Sequence, residues 1–279
     1  MSLNLDVIGV RHDPYPFEIQ DRDVILYALG IGADERELRF LFEGDGRFST
    51  FPTYAVIPPT RGLFEAIVEM KADLMKLVHG EQAIRWFAPI PTSGTVMTSW
   101  EVTDIYDKGS GALAVVTATT EDSKGNPIFE NVCSMFIKGE GGFGGDKGPD
   151  SPPRQPPADR APDFHIEQPT LGRQALIYRL NGDRNPLHAS PDFARMAGFE
   201  KPILHGLCTL GFAARALLNG ALEGEPGRLK ALSARFSAVV YPGDTIITKG
   251  WHTGNGKYAL DVSTDRTSGV ITNFTAETI

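Results

Sequence analysis

The chain has 279 residues, 35 acidic against 27 basic side chains, and a net charge of −8. It is longer than one typical core of about 100–150 residues, and it lacks the broad basic field by which proteins hold nucleic acid. Cys133 and Cys208 are too few for a disulfide framework or a cysteine-rich zinc site, so both read as small core residues of a reducing compartment.

The segment from Met1 to Phe17 carries Asp6, Arg11, His12 and Asp13 and has no apolar signal core. No stretch reaches the roughly 18 uncharged apolar residues of a membrane span, and the nearest candidate, 203–222, is interrupted by His205 and Arg215. Glu277-Thr278-Ile279 is neither a peroxisomal tripeptide nor a lipidation site. A cytoplasmic protein is expected, with no membrane insertion and no nucleic acid among its partners.

Taken in chain order, Tyr27-Ala-Leu-Gly-Ile-Gly32 comes first. The stretch from Thr60 to Val78 follows, where Phe64, Ile67 and Val68 suit a helix and Leu74 to Val78 could be a buried strand entering His79-Gly80. Runs rich in Val, Ile and Thr at Val96–Ile105, Ala112–Glu121 and Ile128–Lys138 read as strands. A Gly-rich run from Gly139 to Gly145 then leads into six prolines between Pro149 and Pro162, a composition that supports no helix or sheet interior. This places an N-terminal domain at 1–138, a linker at 139–163 and a C-terminal domain at 164–279. After the linker, Tyr178-Arg-Leu-Asn-Gly-Asp183 lines up with the Tyr27 segment, a His-Gly pair recurs at His205-Gly206, and four strand-like runs follow: Ala231–Tyr241, Asp244–Thr253, Lys257–Asp265 and Val270–Ile279. The shared order suggests duplication. From Gly206, apolar residues at helical spacing predict a helix with a stop at Asn219-Gly220.

The densest chemical signal is Asp183-Arg-Asn185-Pro186-Leu-His188. Extended, Asp183 and His188 could lie up to about 16 Å apart on opposite faces, but Asn185-Pro186 favours a turn. A carboxylate and an imidazole on one side of a turn can hold a single water between them, as general acid–base addition of water requires. Ser190-Pro191 reads as an N-cap followed by a short helix to Gly198. Downstream, Lys201-Pro-Ile-Leu-His-Gly206 delivers a glycine to a helix start, where unpaired backbone N–H groups favour negative charge. Such an N–H can stabilise an oxygen that gains negative charge during a reaction. No Gly-x-Ser-x-Gly elbow or dinucleotide fingerprint is present, and the spacing of Asp183, His188 and His205 matches no common zinc pattern.

Tyr178 to His188, continuing through Lys201 to Thr209, resembles the hydratase 2 motif of the MaoC-like dehydratases. The similarity extends to Tyr27–Gly32, His79–Gln82, Asp107–Gly111, Gly141–Gly145, Ala234–Phe236 and Tyr241–Gly243, covering nearly the whole chain. The resemblance implies an α+β double hot-dog fold, in which two long antiparallel sheets each surround a helix, with the second half catalytic and the first degenerate. It implies hydration of a trans-2-enoyl-CoA to a (3R)-3-hydroxyacyl-CoA, reversible as a dehydratase. Asp183 and His188 are similar to the acid–base pair, Asn185 to a residue that fixes the water, and Gly206 to the oxyanion donor. His79, Gly80, Lys108, Arg184, Pro186, Leu187 and Phe236 fall at substrate or CoA contacts. No metal is implied and no cofactor beyond the substrate's own CoA; a homodimer is expected. Two departures stand out, Asn181 where the family has a small residue and Ser190 where it often has Asp. Taken alone, Lys108 could be only a hairpin lysine, Phe236 a core residue, and His205 a hydrogen-bonding histidine. A hot-dog thioesterase and a silent acyl-CoA-binding protein are the alternative functions.

Overall fold

The computed structural model describes residues 3–149, 156–157 and 159–279. Residues 150–155 and 158 of the expected linker, and 1–2 at the start, lie outside them.

Strand β1 (Tyr15–Ile19) leads into helix α1 (Asp21–Gly30), whose first turn carries Asp21 and Asp23 at the positive end of the helix dipole. Two short 3-10 turns, Glu35–Phe40 and Pro52–Val56, precede α2 (Thr60–Glu69). Four strands follow, β2 (Leu77–Trp86), β3 (Gly94–Asp107), β4 (Gly111–Glu121) and β5 (Pro127–Lys138). The second half repeats the plan with β6 (Phe164–Pro169), α3 (Gln174–Tyr178), α4 (Pro191–Met196), α5 (Gly206–Ala221), β7 (Leu229–Phe236), β8 (Thr245–Gly254), β9 (Lys257–Thr264) and β10 (Ile271–Thr278).

All ten strands form one antiparallel sheet in the order β1-β3-β4-β5-β2-β7-β10-β9-β8-β6. Read outward from the centre, 2-5-4-3-1 on one side becomes 7-10-9-8-6 on the other, so the two halves are related by a pseudo-twofold between β2 and β7. The junction is a ladder from Glu81↔Arg235 to Arg85↔Ala231, reinforced by the Arg235–Glu81 ion pair at 2.6 Å. Strand β4 alternates buried and half-buried side chains, as expected for a sheet with one covered face.

Helix α5 is buried on every side from Cys208 to Leu218, which makes it a core helix with no solvent face. The larger core draws on both halves: Ile31, Phe40 and Tyr54 from the first meet Phe212, Leu217 and Phe274 from the second. A smaller core joins α2 to β3, β4 and β5 through Ala66, Met70, Trp100 and Val116.

Three expectations need correction. The His-Gly pairs are not equivalent, since His79-Gly80 lies on β2, the counterpart of β7, whereas His205-Gly206 opens α5, the counterpart of α2. Leu74 is exposed and Val78 is 43% exposed, so the approach to His79 is not a buried strand. Helix α5 runs through Asn219-Gly220 to Ala221 and stops where Glu223 and Gly224 turn left-handed. Gly220 is needed for space, because a Cβ there would come within 2.6 Å of the Phe164 ring.

Candidate active site

The turn that sets the site is held by its own side chains, which accept from its backbone N–H groups. Gly182 takes φ +129°, Asp183 Oδ1 accepts the Asn185 N–H at 3.1 Å, and Asn185 Oδ1 accepts the Leu187 N–H at 3.0 Å. A 3-10 turn over Pro186–His188 follows, with Pro at its first position, and Ser190 Oγ caps α4 through the Phe193 N–H. Asp183 and His188 therefore face one another across a fixed turn.

His188 is 8% exposed, with Nδ1 2.9 Å from the Ile203 carbonyl oxygen. A carbonyl only accepts, so Nδ1 carries the proton and Nε2 offers a lone pair. Burial holds the imidazole below its ordinary pKa, against the opposing pull of the Asp183 charge and the Ile203 carbonyl, so the ring is neutral. His205, 2% exposed, stacks on His188 with ring centroids 3.6 Å apart and 24° between planes. Its Nε2 lies 3.3 Å from the Asp183 carbonyl oxygen, and burial pushes its pKa down to about 3.

One ligand atom from each of Asp183, His188 and His205 lies within 4.8 Å of the others. Two acceptors that each hydrogen-bond one water at about 2.8 Å stand no more than about 5.6 Å apart, so groups within 4.8 Å of one another are close enough to share a water. It suits a metal poorly. Imidazole lone pairs lie in the ring plane, and two rings stacked 3.6 Å apart aim them along separate, near-parallel planes.

Helix α5 begins beside this pair. His205, its N-cap, is extended (φ −62°, ψ 137°) and makes no side-chain cap, so the Gly206 N–H has no intrahelical acceptor. A Cβ at Gly206 would come within 3.1 Å of the Phe236 ring, which would have to shift by a few tenths of an ångström to admit it. Phe236 meets the His79 ring edge-on at 5.1 Å, and His79 Nε2 is 3.2 Å from Cys133 Sγ. Burial depresses His79 to about 4, partly offset by a backbone hydrogen bond at Glu81 and then by the Asp183 charge. The pairing of β2 with β7 thus brings His79 of the first half against Phe236 of the second. Gly80 lies at the bulge that shifts the register between His79 and Glu81.

Of the other expected residues, Leu187 is half-buried and Arg184, Asn185 and Pro186 are exposed. Asn185 Oδ1 is engaged by the turn. Lys108 tops the β3–β4 hairpin, where its Nζ donates to the Lys147 carbonyl and lies 5.6 Å from the Tyr106 ring. Three strand spacings separate it from β2, about 14 Å, so it contacts none of the central group. Buried Asp107 beside it accepts N–H bonds from Gly109, Gly142 and Gly144, which ties the Gly-rich run to the hairpin. Asn181 packs at the junction of the halves: its Nδ2 donates to the Tyr178 carbonyl and lies 3.0 Å from where a Gly30 Cβ would be. The stacking of His205 on His188 escaped the sequence reading, since residues 17 apart show no spacing signal. The first half has no counterpart to Asp183. Gly32 takes φ +81°, and a Cβ there would lie 2.4 Å from Phe212 Cε1.

The family model for the MFE-2 hydratase 2 N-terminal domain matches residues 17–139, and that for the MaoC-like domain matches 153–274. A Dictyostelium discoideum protein named "Probable enoyl-CoA hydratase 2" is 45% identical over 88% of this chain and 85% of its own length. The chain belongs to the MaoC-like hydratase 2 family. The crystal structure of a MaoC-like dehydratase from Phytophthora capsici superposes with a TM-score of 0.89 at 34% identity, over 99% of this chain and 98% of that one. Peroxisomal multifunctional enzyme type 2 of Drosophila melanogaster is 41% identical over 85% of this chain, which spans 42% of that longer protein. The pseudo-twofold sheet of this family member is a double hot-dog. No helix among the described residues is long and apolar enough to cross a membrane.

Proposed function

We propose that this hydro-lyase adds water to trans-2-enoyl-CoA thioesters to give (3R)-3-hydroxyacyl-CoA and runs the reverse dehydration. The observation that carries the reading is the placement of His188, whose Nδ1 donates to the Ile203 carbonyl and which lies with Asp183 in a group whose polar atoms fall within 4.8 Å of one another. Asp183 and His188 Nε2 orient one water, whose oxygen forms the new bond to C3. The proton it loses passes through the pair to C2 on the same face, so the reaction balances with no other reactant. Charge that gathers on the thioester oxygen is met by the Gly206 N–H.

Asn185 acts by holding the turn that aligns this pair. His79, Gly80, Leu187 and Phe236 line the reacting end of the substrate, while Arg184, Pro186 and, farther out, Lys108 meet the CoA. The substrate brings its own CoA, and no metal or further cofactor takes part. The chain works as a cytoplasmic homodimer with one site per chain, the first half, 1–138, shaping the pocket of the catalytic half, 164–279. Loss of enoyl-thioester absorbance on adding the protein, with chiral analysis of the product, tests the reading. Release of free thiol without hydration would replace it with a thioesterase.

A further inference from the structure

His205 is in contact with both members of the pair, although the chemistry above uses it for nothing. Its ring covers one face of His188, its Nε2 reaches the carbonyl of Asp183, and it meets the tilted Tyr178 ring at 4.9 Å between centroids. Its Nδ1 is buried without a hydrogen-bond partner among the described residues. A neutral side chain that leaves a buried polar atom unsatisfied carries a cost, and at this position an aliphatic residue would fill the same core space without it. The requirement is therefore for a flat ring that also donates one N–H.

We propose that His205 is the positioning residue of the catalytic pair: its ring face shields His188 from water, and its Nε2–H pins the backbone of Asp183. The proposal rests on the hydratase reading for its kinetic consequence but not for its physical one. The shielding works because water stabilises a charged imidazole, and its exclusion disfavours that form. With the stack in place, His188 stays neutral at pH values where an exposed histidine would protonate. The groups that face His188 and His205 are Asp183 and Arg179 from the segment after α3, Tyr178 on α3, and, through Asp183, His79 on β2. Asp183 and the Ile203 carbonyl both favour a charged His188, so removal of the shield lets them raise the imidazole pKa.

Two substitutions separate the two contacts. His205→Phe keeps the stacked ring and loses the donor, whereas His205→Gln keeps an N–H donor and loses the ring. NMR titration of the His188 ring, assigned through a His188→Gln control and read without substrate, is expected to place the His205→Gln titration at least half a pH unit above wild type. In His205→Phe it should be unmoved. In kinetics the acid limb of kcat/KM should shift upward by the same amount in His205→Gln. His205→Phe should keep the limb and lose kcat by roughly tenfold or more as the Asp183 turn loosens. A His188 titration unchanged in a folded His205→Gln variant overturns the shielding, and an unchanged kcat in His205→Phe overturns the pinning. A protein in which thermal stability falls but neither readout moves assigns His205 to the core alone. If wild type fails to hydrate enoyl thioesters while the NMR shifts appear, the hydratase reading falls and the positioning of His188 stands.

Discussion

The ion pair between Arg215 on α5 and Glu37 in the first half offers a quantitative test of how the two halves are joined. Arg215 is 4% exposed and Glu37 9%. Arg215 donates through Nε and Nη2 to the carboxylate and through Nη1 to the Ile31 carbonyl at 3.1 Å, while Asn219 Nδ2 donates to Glu37 Oε1 at 2.9 Å. Replacing one partner strands the other charge in the interior, so Arg215→Met and Glu37→Leu should each cost about 3–5 kcal/mol. That is a large share of the roughly 5–15 kcal/mol that holds a domain folded. The double variant strands no charge. It loses the bonds to the Ile31 carbonyl and from Asn219, at about 1 kcal/mol each, so it should cost about 2–3 kcal/mol instead of the 6–10 an additive pair would give. Guanidinium unfolding followed by the fluorescence of buried Trp86, Trp100 and Trp251 measures all three. Strict additivity, or singles within about 1 kcal/mol of wild type, would refute the idea that a desolvated ion pair locks α5 to the first half.

Three further outcomes are expected. Gly32→Asp, which restores the missing acid to the first half, should create no second site and should destabilise the fold by about 2–4 kcal/mol, from left-handed backbone strain and overlap with Phe212; active-site titration and denaturation check both, and two sites per chain would contradict it. Because burial lowers the His188 pKa, activity present at neutral pH should be lost only as pH falls through a value below the ordinary 6.5, so an acid limb of kcat/KM above 6.5 would contradict a buried neutral base. Backbone N–H bonds from Gly142 and Gly109 hold Asp107 below the usual carboxylate range, so its contribution is present above about pH 4 and is lost as pH falls through the lower folded value. Asp107→Asn should accordingly speed amide exchange at Gly142 and Gly144 at neutral pH, and unchanged protection there would remove the anchoring role.

The repeated half and most strands of the sheet were legible because alternation and β-branched runs report directly on a half-buried sheet. Observed β4 and β5 begin one residue before the expected Ala112 and Ile128. Short β1 and β6 and helix α1 carry weak periodic signals and were not read. Asp183 and His188 could be paired from sequence because one turn joins them, and Ser190 could be read as a cap because its effect is local. His205 against His188, His79 against Phe236, and Arg215 against Glu37 depend on how α5 and β2 meet across the pseudo-twofold, which no local pattern encodes. The same geometry misled the reading of two His-Gly pairs as equivalent, since the match was between letters and not between places in the sheet.

The most direct test of the account is the fate of trans-2-enoyl-CoA with wild type, Asp183→Asn, His188→Ala and the double variant. The wild-type product should be (3R)-3-hydroxyacyl-CoA. Each single variant should lose roughly 10²–10⁴-fold in kcat with little change in substrate binding, and the double should be scarcely worse than the poorer single, as for groups that share one water. A 3S product, or near-full activity in either folded single variant, would contradict the assignment of this pair as the water site.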